Sequence, residues 1–326
     1  MAGSIHQSVI LAKIETTSGT DAAPTNLLNA MLIRVSGLSA KIEQKMASRD
    51  IVRSVFGAPD MLPYTRRGSI AFSVELASAG AAAVTAGTPP AWDALLQGCG
   101  FASASVATSG TTYTPTSASL KNLTLWAYIN GKLEKFTYCA GSFKVSMKAG
   151  QLPTLDFSFT GLPVAAVTQV GAPAPTVTAW QRPLAMGANN TGKLFIGCAY
   201  AAFALSGGTG YNFSEINLDA ANDVQDIELA SAESVAIYGR NPSASLVADI
   251  GATDIATQYT NMNAGTLITV GLQHGVAAGS KVIVFAPAAA ITGIDDQVNG
   301  SVMLNTMSLS LQPTAALNDD FRIVCA

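Results

Sequence analysis

The sequence predicts a mainly β protein, with two tandem β-sandwich or barrel domains, each flanked by a helix or helical segment. Three observations predict it. Apolar and polar residues alternate at a period of two through many short segments, as in "LPTLDFSFTGLP" (Leu152 to Pro163) and "MLNTMSLSLQP" (Met303 to Pro313). Charged residues are only 12% of the 326, and small residues fill the gap, which suits a surface largely covered by neighbouring molecules. The order of segments in the first half recurs in the second.

The elements follow in order. Residues 1–30, with "ETTSGTDAAPTNLLNAM", read as an extended N-terminal arm or irregular lead-in. The first domain spans 31–163. It opens with the alternating "MLIRVSGLSAKIEQK" and continues, after Met46 to Gly68, with "SIAFSVELA". Met46 to Gly68 reads as a long charged loop carrying apolar anchors. "TPPAWDALLQGCGF" reads as a helix, with Pro89 and Pro90 at its entry and Gly98 and Gly100 at its exit. In "LTLWAYINGKLEKFTYCAGSFKVSMKAG", Asn130-Gly131 marks a hairpin. Residues 164–192, rich in Ala, Pro and Gly, read as a linker.

The second domain, 193–326, repeats this outline. "IYGRNPSASLVADIG" parallels "YTRRGSIAFSVELAS", and each alternating run ends in an acid followed by an aliphatic: Glu75-Leu76 and Asp249-Ile250. "TDIATQYTNM" stands where the Trp92 helix stands, and "TLITVGLQHGVAAGSKVIVFAPAAAITGIDD" where the Asn130-Gly131 hairpin stands. "VNGSVMLNTMSLSLQP" and "DDFRIVCA" supply the closing strands. One large sandwich with mutually similar strands is the alternative to a duplication.

Composition and motifs exclude several classes. Net charge is −3, the pI is about 5.4, and no basic block is present, so nothing here grips nucleic acid through its phosphates. The start "MAGSIHQSVILAKIE" has no charged stretch followed by a long apolar run, so no signal peptide is expected. No apolar run reaches the roughly 18 residues that a membrane-spanning helix needs. Cys99, Cys139, Cys198 and Cys325 lack metal spacing and read as free buried thiols. His6 and His274 lie outside any metal-ligand spacing and read as exposed or incidental. No phosphate loop or nucleophile elbow occurs. Glu75 and Asp249 could be an acid/base pair, but acids at equivalent places in two units fit a repeated surface better. No catalytic, metal or cofactor-binding residue is therefore expected, and no enzyme activity.

The ordered set "ETTSGTDAAPTNLLNAM", "PPAWDALLQGCGF", "YTPTSASLKNLTLW", "GSFKVSMKAGQLPTLDFSFTG", "GSKVIVFAPAAAI", "NGSVMLNTMSLSLQP" and "DDFRIVCA" resembles the major tail tube proteins of long, non-contractile bacteriophage tails. The resemblance implies a structural virion protein that self-assembles into stacked rings, with an inner β-barrel around a channel for genome delivery. It implies as partners other copies of the chain, a tape measure protein in the lumen, and tail terminator and distal tail proteins. DNA would pass without specific binding, and no membrane insertion is implied. The place is the virion tail, assembled in the host bacterial cytoplasm.

Such rings are usually hexamers of single-domain subunits. A chain of double length predicts a trimeric, pseudo-hexameric ring; the alternative is a hexamer with one tube domain and one decorating domain. Glu75, Asp156 and Asp249 are lumen candidates, because an acidic wall repels phosphates. Arg49, Arg53, Phe56 and Arg66 are candidates for contact with the next ring. A secreted or virion-decorating β-sandwich adhesin is the alternative function.

Overall fold

The computed structural model forms strands at most of the segments that alternate at a period of two, although "LIRVSGL" (32–38) of the opening run is bridge and turn; it describes residues 5–164, 168–299 and 302–326. The chain is mainly β. Its strands begin with β1 (Val9–Ile14), β2 (Ala30–Met31), β3 (Ser39–Ser48) and β4 (Met61–Glu75). Two short helices follow, α1 (Ala81–Ala86) and α2 (Asp93–Gly98). Next come β5 (Phe101–Val106), β6 (Gly110–Pro115), β7 (Leu123–Ile129), β8 (Lys132–Lys148), β9 (Thr154–Pro163) and β10 (Thr168–Gln169). The later strands are β11 (Thr191–Ile196), β12 (Ala199–Ala201), β13 (Ala204–Ser206), β14 (Thr209–Asp219), β15 (Asn222–Leu229), β16 (Ala232–Arg240) and β17 (Ser243–Asp249). After α3 (Ala252–Ala264), the chain ends with β18 (Ile268–His274), β19 (Val282–Asn299), β20 (Val302–Leu311) and β21 (Arg322–Cys325).

The antiparallel ladders form two series of the same connectivity. One runs β1–β7–β8–β9–β4–β3. The other runs β11–β18–β19–β20–β17–β14. They are joined where β14 pairs with the end of β8, from Glu215 opposite Lys148 to Asp219 opposite Lys144. A continuous sheet of eight strands results, in the order β3–β4–β9–β8–β14–β17–β20–β19.

The two longest strands each serve two layers, and each bends at a register shift. β8 pairs first with β7 and at its far end with β14. Its bulge contains Tyr138, held at φ 52°; the Tyr138 N–H donates to the Glu15 carboxylate at 2.9 Å, which also accepts from the Thr124 hydroxyl at 3.1 Å. β19 pairs first with β18 and then with β20. Its pairing with β18 skips Pro287, a residue with no N–H to give to the ladder.

The apolar face of the eight-strand sheet is the wall of one core. On the first half it presents Phe72, Phe143, Phe157 and Phe159; on the second, Ile216, Leu218, Leu246, Met307 and Leu309. Phe157 and Phe159 stack at 5.8 Å and 10°, and Phe101 lies 5.2 Å from both Phe143 and Phe321. Trp92, at the N-cap of α2, and Leu95 and Leu96 within it close this core, with the Trp92 indole N–H donating to the Ala77 carbonyl at 2.9 Å. All four cysteines are free and buried, and burial pushes their thiols up, away from the reactive thiolate.

Several expectations change. The helix read across Thr88 to Phe101 is confined to Asp93–Gly98, and α1, unexpected from sequence, precedes it, closed by Gly87 at φ 70°. The loop read from Met46 to Gly68 shrinks to residues 49–60, because β3 and β4 stay paired out to Ser48 opposite Met61. Inside the segment read as a lead-in, "VILAKI" forms β1, whose Ile10 and Leu11 are buried against β7. Within the segment read as a linker, Trp180 donates to the Ala30 carbonyl at 3.1 Å and Met186 is buried, while most of the other side chains of 168–190 are exposed. His274, read as exposed or incidental, is buried; its ring bridges Thr191 Oγ1 at 2.9 Å and the Leu184 carbonyl at 3.0 Å.

Candidate functional site

Pairing register places polar side chains in rows across the outer face of the eight-strand sheet. One row reads Ser73, Asp156, Lys144, Asp219, Ser243 and Ser310, crossing the β8–β14 joint without a break. A second reads Glu75, Thr154, Ser146, Asn217, Ser245, Ser308 and Gly293. Short hydroxyl side chains dominate because the opposite positions of each strand are committed to the core.

The charge of this face is acidic. Glu43, Glu75, Asp156, Glu215, Asp219, Asp249 and Asp295 stand with Lys41, Lys144, Lys148 and, under the acids of the β15–β16 hairpin, Lys45 and Arg67. Lys144 pairs with Asp219 and Lys148 with Glu215, each at 3.0 Å. The Glu215 carboxyl is held below the usual range, first by the Asn217 side-chain amide at 2.6 Å and then by Lys148. Asp156 accepts from the Ser73 hydroxyl. Asp249 is exposed at the end of β17, opposite Asn212. Glu75 is half-buried at the end of β4 and lines a shallow hollow with Leu32, Arg34 and Val35.

A second feature is a long arm. β3 and β4 extend beyond the core as a hairpin whose tip exposes Val52, Val55 and Phe56, the first and last fully. At its base, Asp60 accepts from Arg53 at 2.7 Å and from Arg49 at 3.4 Å. Arg66 is exposed on β4, opposite Gln44, and so stands on a strand and not in a loop. Its neighbour Arg67 is sunk under the β15–β16 hairpin, 2.5 Å from Asp226, 3.2 Å from Glu228 and 3.4 Å from Glu233. Lys45 joins the cluster through Asp226 at 2.6 Å and through Glu228. The Asp226 carboxyl is held far below its usual range by Lys45 first and Arg67 second.

Among the described residues, no group of His, Cys, Asp and Glu could hold a metal ion, and no helix is long and apolar enough to cross a membrane. A family model described as phage tail tube protein matches residues 6–323. The chain belongs to the phage tail tube family. A search of curated proteins finds no match. The tail tube family is a structural one, so the features of interest are surfaces and edges rather than a catalytic pocket.

The structure brings two of the three acids chosen from sequence, Glu75 and Asp156, to neighbouring rows of one face, and puts Asp249 on the same face in the far half. Sequence reasoning missed Glu215, Asp219, Asp295 and Glu43 as members of that face. A signal existed for the first two: they alternate with Ile216 and Leu218 in "SEINLDA". Arg67 was passed over for Arg66 because nothing in "TRRG" separates the exposed arginine from the buried one.

Proposed function

We propose that the chain self-assembles into stacked rings whose polar sheet faces line a channel for genome delivery through the phage tail. The observation that supports this best is the uninterrupted eight-strand sheet, apolar on one face and hydroxyl-rich and acidic on the other. A hydrophilic wall of net negative charge gives DNA phosphates nothing to hold.

The matching ladder series support tandem tube-like units at 31–163 and 193–326, joined by 164–192 and preceded by the 1–30 arm. Three chains of eight strands each would then close a barrel of six similar walls. At a strand spacing of about 4.8 Å and a tilt of about 40°, such a barrel measures about 48 Å between opposing backbones. The exposed β3–β4 tip, with Arg49, Arg53 and Phe56, suits contact with the next ring, and Arg66 lies further down the same arm. A tape measure protein in the lumen, and tail terminator and distal tail proteins at the ends, are the expected partners, with assembly in the host bacterial cytoplasm.

Electron microscopy of the purified protein tests this. Hollow tubes with threefold, pseudo-sixfold end views are expected. Sixfold rings with one unit outside the barrel would replace the trimer by the hexamer. A monomer that never polymerises at high concentration would overturn the tube and favour a decorating module.

A further inference from the structure

The sheet that lines the proposed channel ends in two strand edges, and the joint inside the chain shows how they fit. Among the described residues, β3 pairs with β4 alone, and β19 beyond Ala289 pairs with β20 alone. Unpaired edges of this length are open to another strand. Resting on the ring reading above, we propose that β3 of one copy pairs antiparallel with the far half of β19 of the next copy, with Lys41 opposite Asp295.

The register follows from the ladders. Asp156, seven residues before Pro163, faces Ser73 on one side and Lys144 on the other. Thr306, seven residues before Pro313, faces Val247 and Asp295. Ser73 and Val247 each stand two residues before the acids Glu75 and Asp249. Lys144 therefore corresponds to Asp295. One strand further out, Lys41 faces Ser69 as Asp219 faces Ser243, so Lys41 corresponds to Asp219. Inside the chain, Lys144 and Asp219 are directly opposite and bonded at 3.0 Å. Between chains, the same two positions hold Asp295 and Lys41, an ion pair of opposite polarity at the same place.

The neighbouring positions fit. Ser39 falls opposite Gln297, as Asn217 falls opposite Ser146. Leu38 falls opposite Val298, as Ile216 falls opposite Met147; Val298 is 67% exposed in the single chain and would be covered. One position departs from the template: Asp296 stands where Val145 stands, and its carboxylate accepts from the Asn305 amide at 2.9 Å. The interface is head-to-tail, so it either closes a ring or continues as a helix.

Cross-linking tests the register. Ser39→Cys and Gln297→Cys, both at exposed positions, would be placed in one chain, whose own cysteines are buried. Facing side chains across strands have Cβ atoms about 5 Å apart, within small shifts of disulfide reach, whereas the diagonal neighbour is at about 7 Å. Mild oxidation of assembled tubes should give covalent multimers that stop at the number of chains in a ring. Lys41→Cys with Gln297→Cys should link severalfold less.

Tubes that form normally yet stay unlinked, or that link better in the shifted pair, would overturn the edge assignment. Absence of tubes from the unsubstituted protein would instead overturn the ring reading. As a second measure, Lys41→Asp should raise the concentration needed for tube growth severalfold, and adding Asp295→Lys should restore it. A double variant no better than the single one would also count against the pairing.

Discussion

Arg67 shows how burial decides what a charge is for. Its side chain is 7% exposed, and three carboxylates from the β15–β16 hairpin converge on it with Lys45 alongside. The guanidinium fork can satisfy several acceptors at once, which an ammonium cannot. Arg67→Met leaves those acids crowded without their buried partner. Because they are themselves partly exposed, the loss is discounted to about 2 kcal/mol, read as a lower denaturant midpoint with an unchanged slope.

The cluster also sets a pH dependence. Asp226 has a folded-state pKa held far below its unfolded value of about 3.9. Its contribution is therefore fully present above that value and is lost as pH falls towards the folded one. The stability difference between the unsubstituted protein and Asp226→Asn should be largest above about pH 5 and shrink through pH 4 and below. A difference that stays flat from pH 6 to pH 3 would remove the cluster from this role.

At the scale of the element, long strands bend where the sequence supplies a device for it. Gly68 on β4 and Gly161 on β9 are directly opposite each other; the Phe136 ring lies against Gly68 and the Cys139 sulfur against Gly161. A Cβ on Gly68 would come 2.3 Å from that ring. Gly68→Ala should therefore destabilise the protein by about 1–3 kcal/mol through overpacking, measured by thermal or chemical unfolding, whereas Gly171→Ala, which meets open space, should have no such effect.

The arm obeys the opposite logic. Its tip contributes nothing to the core, so Phe56→Ser should leave the unfolding midpoint unchanged while shortening or abolishing tubes in electron micrographs. Normal tubes from Phe56→Ser would take that side chain out of ring stacking.

At the scale of the whole molecule, the charge of the outer sheet face is a collective property. Neutral hydroxyls cover most of it, and the acids are spread over both ladder series. Replacing Glu215 and Asp219 by Lys would also undo the ion pairs with Lys148 and Lys144. Glu75→Lys with Asp249→Lys is the cleaner variant, since neither acid forms an ion pair among the described residues. Tubes of that variant should assemble and eject DNA more slowly, in a salt-dependent way. Ejection at the unsubstituted rate would take both acids out of the channel wall.

The sequence by itself determined many of the long alternating strands and which of their faces is buried. Period-two alternation leaves a half-buried strand one choice of face, so Leu155, Phe157 and Phe159 were legible as core and Asp156, Ser158 and Thr160 as surface. The Asn130-Gly131 turn was equally legible, since both residues adopt positive φ. Scarce charge and the ordered segments pointed to the family.

Only the tertiary structure decided where the arm ends, that "VILAKI" is a strand, and which of two adjacent arginines is buried, because those depend on partners distant in sequence. It also decided that β8 and β14 join the two ladder series into one sheet. Alternation fixes a strand's face but carries no information about its neighbour, so the two edges of the eight-strand sheet became visible only once its ladders were traced.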